Sequence, residues 1–285
     1  MADQAHRAAM FIGGGNMARA ILSGVRDRWP GLRVVVVEPD TDRHEGLPEA
    51  AETLPEGFAR LLELEGEPGT GAIVLAIKPQ VFGTVAADLA PVLAREEHGR
   101  LVVSIMAGLT SRAIATQLAG VPGTPFGGRV VRTMPNTPAQ VGLGMSAVAR
   151  GHGATADDIG FAARLLGSCG EVIELEEDLI DAFTALAGSG PAYVFYLAEA
   201  MARAGARLGL TPGQADAAAR QTLLGAATLL ARSPDVSASE LRARVTSKKG
   251  TTQAATDVLD GRDLLAIVEA AMTAARDRGR ELAGG

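Results

Sequence analysis

The stretch Ala8-Ala9-Met10-Phe11-Ile12-Gly13-Gly14-Gly15-Asn16-Met17-Ala18 decides the fold. A short apolar run feeds a glycine turn, after which Met17, Ile21 and Leu22 continue at helical spacing. Gly13, Gly15 and Ala18 make the G-x-G-x-x-G/A pattern of a strand–turn–helix that cradles a dinucleotide pyrophosphate. The first glycine permits the tight turn and the second lets backbone approach the phosphates. Ala18 lets helix and strand pack closely. The bare pattern is weak, but here a strand precedes it and a helix follows. An acid, Glu38, also ends the next apolar run, Val34 to Val37. Gly13, Gly14, Gly15, Asn16, Met17, Ala18 and Glu38 are therefore candidate cofactor-binding residues.

Outward from this turn, strands are expected at Ala72 to Ile77, Leu101 to Met106 and Val130 to Met134. Helices are expected over Val81 to Arg95 and after Thr110. This alternation implies an α/β fold, a Rossmann-type doubly wound parallel sheet with right-handed crossovers. Pro48, Pro55 and Pro68 break the charged segment from Pro39 to Glu67, which has room for one or two short helices. Gly144 to Ala149, a helix from Thr155 to Leu166 and Val172 to Leu175 complete the expected sheet. Ligands of such sheets bind beyond the carboxyl ends of the strands, which places Gly13, Glu38, Lys78, Ala107 and Asn136 on one rim.

From Asp178 onward the pattern is helical. Leu179, Phe183 and Leu186 start a helix that Gly188-Ser189-Gly190-Pro191 interrupts, with Ser189 as a cap and Pro191 in a first turn. Tyr193 to Leu208, Pro212 to Arg232, Leu241 to Val245 and Thr252 to Leu282 follow. Helices apolar over so much of their circumference commonly pack against another subunit. The expected organisation is a Rossmann domain over 1–176 and an all-α dimerisation domain over 177–285, the chain closing on Ala283-Gly284-Gly285.

Within the helical half, Val245-Thr246-Ser247-Lys248-Lys249-Gly250-Thr251-Thr252-Gln253 packs hydroxyls, two ammonium groups and a glycine together before a helix. Helix starts leave N–H groups unpaired and attract anions, by about 0.3–1 kcal/mol and up to roughly 2 when partly buried. A small carboxylate suits that end, held by amides and by Ser247. Ordinary capping explains the same hydroxyls, since Ser and Thr are favoured caps.

Composition narrows the chemistry. A net charge of −6 argues against nucleic-acid or anionic-membrane partners. One cysteine, Cys169, allows no internal disulfide and fits a reducing compartment. Met1-Ala2-Asp3 runs almost straight into the first strand, leaving no room for a signal peptide, and no apolar run reaches membrane length. A cytoplasmic location is expected. His6, His44, His98 and His152 lie outside the motifs, and no cluster has metal spacing, so no metal is expected. If hydride transfer occurs, its proton comes from a hydroxyl, a lysine or water; an imine substrate fits best.

Five motifs together resemble pyrroline-5-carboxylate reductase, the enzyme of the last step of proline biosynthesis. They are Phe11 to Ala18, Lys78-Pro79-Gln80, Met134-Pro135-Asn136-Thr137-Pro138, Gly188 to Tyr193 and Val245 to Thr252. The resemblance implies reduction of 1-pyrroline-5-carboxylate by NADPH or NADH, with Gly13 to Ala18 on the pyrophosphate. Lys78, Pro79 and Asn136 would flank the nicotinamide. Ser247, Gly250, Thr251 and Thr252 would bind the substrate carboxylate and ring nitrogen, with Thr252 as the catalytic hydroxyl. It also implies a homodimer, with assemblies of dimers up to decamers among similar enzymes, and an active site between the two domains. Alternatives are a related imine or hydroxyacid reductase of the same fold, or a non-catalytic nucleotide-sensing oligomer.

Three positions depart from the family pattern. Lys248 and Lys249 stand where proline and glycine are common, and Ala187 where serine is common. Many relatives prefer NADPH, yet Glu38 sits where a carboxylate binds an unphosphorylated ribose. Against a 2′-phosphate it would cost on the order of 1–4 kcal/mol. NADH is therefore expected to be used well, unless Glu38 turns away and Arg43 covers the phosphate.

Overall fold

The computed structural model describes residues 6–96, 99–120 and 126–282. The N-terminal residues Met1 to Asp3, His98 and the closing Ala283 to Gly285 lie outside them. The Rossmann part comprises β1 (Ala8–Ile12), α1 (Asn16–Arg28), β2 (Arg33–Val37), β3 (Ala50–Ala51) and α2 (Leu54–Leu64). After these come β4 (Ala72–Leu75), α3 (Phe82–Leu93), β5 (Leu101–Ser104), α4 (Ser111–Leu118) and β6 (Arg129–Met134). It closes with β7 (Gly144–Arg150), α5 (Ala156–Gly167) and β8 (Gly170–Leu175).

The strands form one sheet of order β3-β2-β1-β4-β5-β6-β7-β8. The chain winds outward from β1 to β3, then returns to lay β4 on the other side of β1. Because these strands are buried on both faces, they read as continuous apolar runs and feed two cores by alternation. Ala9, Phe11, Val34 and Val36 face α1 and α5 through Ile21, Val25, Phe161 and Leu165. Met10, Ile12, Val35 and Val37 join Phe58, Leu61, Phe82, Leu89 and Ile114 of α2, α3 and α4.

The sheet departs from the expected all-parallel arrangement at one place. β7 runs antiparallel to β6. Only a 3-10 turn over Thr137–Val141 and its flanks join them, and a parallel return needs a dozen or more residues. The segment after Pro39 holds the expected short helical pieces and one addition, the two-residue β3. A 3-10 turn at Thr41–Arg43 and the two-residue β3 precede α2, which Thr53 caps by accepting from the Glu56 N–H.

The amino ends of the strands are stapled by buried ions. His6 meets Asp158 at 3.3 Å, Arg129 Nε donates to Asp158 at 2.9 Å, and Thr155 donates through both its N–H and its hydroxyl. Burial alone would raise the Asp158 pKa; the bonds from His6, Thr155 and Arg129 outweigh it and hold the carboxyl well below its ordinary value. Arg100, fully buried, is similarly gripped by Glu65 and Glu96.

After β8 a 3-10 turn (Glu177–Leu179) leads into α6 (Ile180–Phe183), a π-turn (Thr184–Gly188) and α7 (Gly190–Arg207). Then come α8 (Pro212–Ala231), α9 (Ala238–Arg244), α10 (Thr251–Gly261) and α11 (Leu264–Leu282). The expected single helix from Thr252 to Leu282 is two. Asp263 has φ 51°, a left-handed residue that no continuous helix contains. The apolar stripe from Leu264 therefore belongs to α11 and not to the helix that Thr252 opens.

By compactness the described residues form two units, those within Met1–Ser189 with Ala275–Gly285, and Gly190–Ala274. In the second unit α7 and α8 pack through a four-residue link, yet Ala215 and Ala219 are its only buried residues. Phe195, Tyr196 and Leu265 are more than two-thirds exposed. A unit this apolar and without a core of its own is built to be covered. No helix among the described residues is long and apolar enough to cross a membrane.

Asp158→Asn should cost about 3 kcal/mol at neutral pH, as expected for one partner removed from a buried ion cluster. The folded pKa lies below the unfolded value of about 3.9. The carboxylate's contribution is therefore whole above that pH and lost as pH falls through the folded value. Urea unfolding of both proteins from pH 7 to 3 checks this: the gap should persist to about pH 4 and narrow below it. A gap that already narrows between pH 7 and 5 contradicts the assignment.

Candidate active site

Because the first six strands are parallel, their carboxyl ends share one rim, and Gly13, Glu38, Lys78, Ala107 and Asn136 all lie there. Gly13 marks the crossover between β1 and β4. Its φ is 100°, and a Cβ there would lie 2.6 Å from the Ala76 carbonyl oxygen, so both conformation and space demand glycine. Gly15 precedes α1 with no side-chain cap, leaving the first N–H groups of α1, from Asn16 and Met17 onward, unpaired. The nearest atom to a Cβ on Gly15 is Arg43 Nη2 at 3.8 Å, so the space above the turn is open. A cleft of about 1120 Å³ runs from Gly13 and Gly15 past Glu38, Arg43 and Lys78. These features fit a dinucleotide.

Glu38 is buried and already committed. Oε2 accepts from the Gly14 N–H at 3.0 Å, Oε1 accepts from the Asp40 N–H at 3.3 Å, and Arg43 Nη1 lies 3.5 Å from Oε2. His44 Nε2 donates to the Glu38 carbonyl at 2.6 Å, pinning the end of β2. Lys78 ends the β4 loop, exposed, before the 3-10 turn that Pro79 opens.

Asn136 is buried and bridges backbone to backbone. Its Nδ2 donates to the Ala187 carbonyl at 3.0 Å, and its Oδ1 accepts from the Met145 N–H at 2.9 Å. The reason lies in the helix it meets. An α-helical partner for the Ala187 carbonyl would be the N–H of residue 191, which is proline and has none. Asn136 supplies the missing donor. The chain is not interrupted here as expected. Ser189 is helical (φ −85°, ψ −19°) rather than a cap, and its N–H reaches back to the Thr184 carbonyl at 2.8 Å in a π-turn. Gly188 leaves room for Met134, whose Cε would lie 2.8 Å from a Cβ there.

On the helical unit, Gly250 is the N-cap of α10 and brings no side chain to it. A Cβ at this position would run into Ser247 Oγ, so glycine and serine fit as a pair. Ser247 and Thr251 are exposed and Thr252 half-buried; no hydrogen bond from the Thr251 or Thr252 hydroxyl occurs among the described residues. These hydroxyls therefore do not cap α10. Lys249 sits at φ 61°, the left-handed region in which glycine is at ease, and its N–H donates to Gln253 Oε1 at 2.7 Å. That conformation accounts for the glycine usual at this position.

The pyrroline-5-carboxylate reductase dimerisation family model matches residues 177–282, and that of NADP oxidoreductase, coenzyme F420-dependent, matches 9–108. A pyrroline-5-carboxylate reductase from Pseudomonas aeruginosa is 38% identical, over 96% of this chain and 96% of its own. The solved pyrroline-5-carboxylate reductase of Coxiella burnetii superimposes with a TM-score of 0.83 at 33% identity, covering 98% of both chains. The chain belongs to the pyrroline-5-carboxylate reductase family. The pyrroline carboxylate reductase of Plasmodium falciparum, solved with NADP bound, shares the fold at a TM-score of 0.77, 24% identical over 97% of this chain and 99% of its own.

The enzyme is thus an NAD(P)H-dependent oxidoreductase that reduces 1-pyrroline-5-carboxylate to L-proline. The hydroxyacid-reductase and nucleotide-sensor readings fall away. Two residues at the cofactor end, Arg19 and His44, escaped sequence reasoning, and a third, Arg43, was expected only as a cover for a 2′-phosphate. Arg19 binds the glycine turn, and His44 and Arg43 brace Glu38. His44 was the one with a visible signal, a histidine six residues beyond the strand-ending acid.

Replacing Asn136 by alanine leaves the Ala187 carbonyl and the Met145 N–H without their partner. We expect a loss of about 2 kcal/mol in urea unfolding, and at least as large a loss for Asn136→Asp, which keeps the acceptor for the Met145 N–H but sets a buried carboxylate oxygen against the Ala187 carbonyl. Equal stability of the alanine variant and the parent contradicts the bridging role.

Proposed function

We propose that pyrroline-5-carboxylate lies with its carboxylate at the N-terminus of α10, bound by the N–H groups and hydroxyls of Thr251 and Thr252 and by Ser247, with Gly250 leaving the approach clear. The observation that carries this is a helix start capped by a glycine whose neighbouring hydroxyls are uncommitted. An anion there gains from the helix end. Thr252 donates to or accepts from the ring nitrogen and passes the proton that nitrogen needs, directly or through water. Residues 1–176 serve cofactor binding and 177–285 substrate binding and dimerisation, a division that the matched dimerisation segment supports. The exposed apolar helices favour a homodimer.

Gly13 to Ala18 hold the cofactor's pyrophosphate against the start of α1, and Lys78 and Pro79 flank its nicotinamide end. When bound, the reduced nicotinamide supplies the hydride that adds to C5 of the C=N bond. Asn136 shapes that end by holding the π-turn, since its own amide is spent on backbone. Glu38 accepts one backbone N–H on each carboxylate oxygen and keeps a further acceptor site on each for an adenosine ribose, while Arg43 offers charge for a 2′-phosphate; both NADH and NADPH are therefore substrates.

Two measurements test this. Thr252→Ala should lower kcat by about 10²–10⁴ if the hydroxyl transfers the proton, with Thr252→Ser recovering most of it. An alanine variant that folds and turns over normally removes Thr252 from the chemistry. For the cofactor, kcat/KM with NADH should fall within about tenfold of that with NADPH, a difference under about 1.4 kcal/mol. A preference for NADPH beyond about a hundredfold sinks the placement of Glu38.

A further inference from the structure

We propose that Arg19 is a positioning residue that sets NADPH recognition by holding the loop that carries Arg43; this rests on the reading of Arg43 given above. Arg19 follows the last residue of the glycine pattern, and its guanidinium bridges two separate pieces of chain. Nε donates to the Gly14 carbonyl at 3.0 Å, Nη1 to the Glu45 carbonyl at 2.8 Å, and Nη2 to the Arg43 carbonyl. One planar fork thus fastens the loop after β2 to the glycine turn. Besides Arg19, the loop is held at His44, whose Nε2 donates to the Glu38 carbonyl at 2.6 Å, and at Leu47, which packs on the core, but neither fixes the Arg43 backbone from outside the loop. Thr41–Arg43 is a single 3-10 turn closed by Asp40, which accepts from the Asp42 N–H at 3.2 Å, and the loop's residues are mostly exposed.

The consequence falls on the Arg43 side chain. With its backbone held, its guanidinium rests between Glu38 and the open face of Gly15, half exposed. Glu38, by contrast, is anchored by the end of β2 and by the Gly14 N–H. Removing Arg19 frees the loop and with it the Arg43 charge, while the ribose side at Glu38 stays. Lysine cannot replace it, because a single ammonium lacks the planar fork that spans three carbonyls.

The test is calorimetric titration of the full-length enzyme with 2′-phospho-ADP-ribose and with ADP-ribose, for the parent, Arg19→Met, Arg19→Lys and Arg43→Met. Each variant should bind the phosphorylated ligand about tenfold or more weakly, as for a lost charge-assisted contact, with ADP-ribose changed by less than about threefold. Arg19→Lys, which keeps the charge, covers the case in which methionine fails to fold. If both Arg19 variants weaken the two ligands equally while Arg43→Met discriminates, Arg19 serves only the glycine turn and the inference is wrong. Wild-type binding by Arg19→Lys overturns it too. If Arg43→Met does not discriminate, the cofactor reading itself fails and this inference with it.

Discussion

Backbone lying directly on backbone at the crossover between β1 and β4 is the constraint from which the rest follows. Only a residue without a side chain, in a left-handed conformation, lets β1 turn into α1 beside the Ala76 carbonyl. That turn sets the open end of α1 over the rim where the parallel strands finish. It also brings the Gly14 N–H to Glu38, so β2 ends against the same turn. The rim and the cleft beside it both depend on that close approach.

The opposite, amino-terminal rim is built by other means. Buried His6, Asp158, Arg100 and Glu65, with the partly exposed Arg129, fasten the strand starts with charge-assisted bonds, whereas at the carboxyl ends Glu38 and Arg43 pair beside the cleft. Stability and chemistry are thereby kept at opposite ends of the sheet. The helical unit makes the complementary choice. It buries almost nothing by itself, so its stability depends on what covers it. Its α10 start offers hydroxyls and N–H groups instead of caps.

Much of this was readable in the sequence, for identifiable reasons. Continuous apolar runs ending in glycine, acid, lysine or asparagine gave the strands and their common rim, because burial on both faces leaves no other pattern. Antiparallel β7 was hidden because strand direction depends on the length and path of the Thr137–Val141 connection, not on the strand's own residues. The π-turn was read as a break because Pro191 is a helix breaker locally. Its compensation, the Asn136 amide, comes from 51 residues away, a distance no local pattern spans. The separation of α10 from α11 rests on Asp263 in a conformation that glycine usually marks. Arg19 looked like a surface arginine because exposed guanidinium groups betray no periodicity, and Arg43 was legible only as a cover for a 2′-phosphate, not as the partner of Glu38. Their roles exist only once the loop is folded back onto the glycine turn.

The proposed chemistry needs the acid group of the substrate at the glycine-capped start of α10 and the cofactor's phosphates over Gly15. A crystal structure of the enzyme with NADP⁺ and L-proline decides both. We expect the proline carboxylate at about 2.7–3.2 Å from the N–H of Thr251 or Thr252, the Thr252 hydroxyl beside the ring nitrogen, and the pyrophosphate on the N-terminus of α1. Proline density seated elsewhere, with the Ser247 to Thr252 loop unengaged, would contradict it.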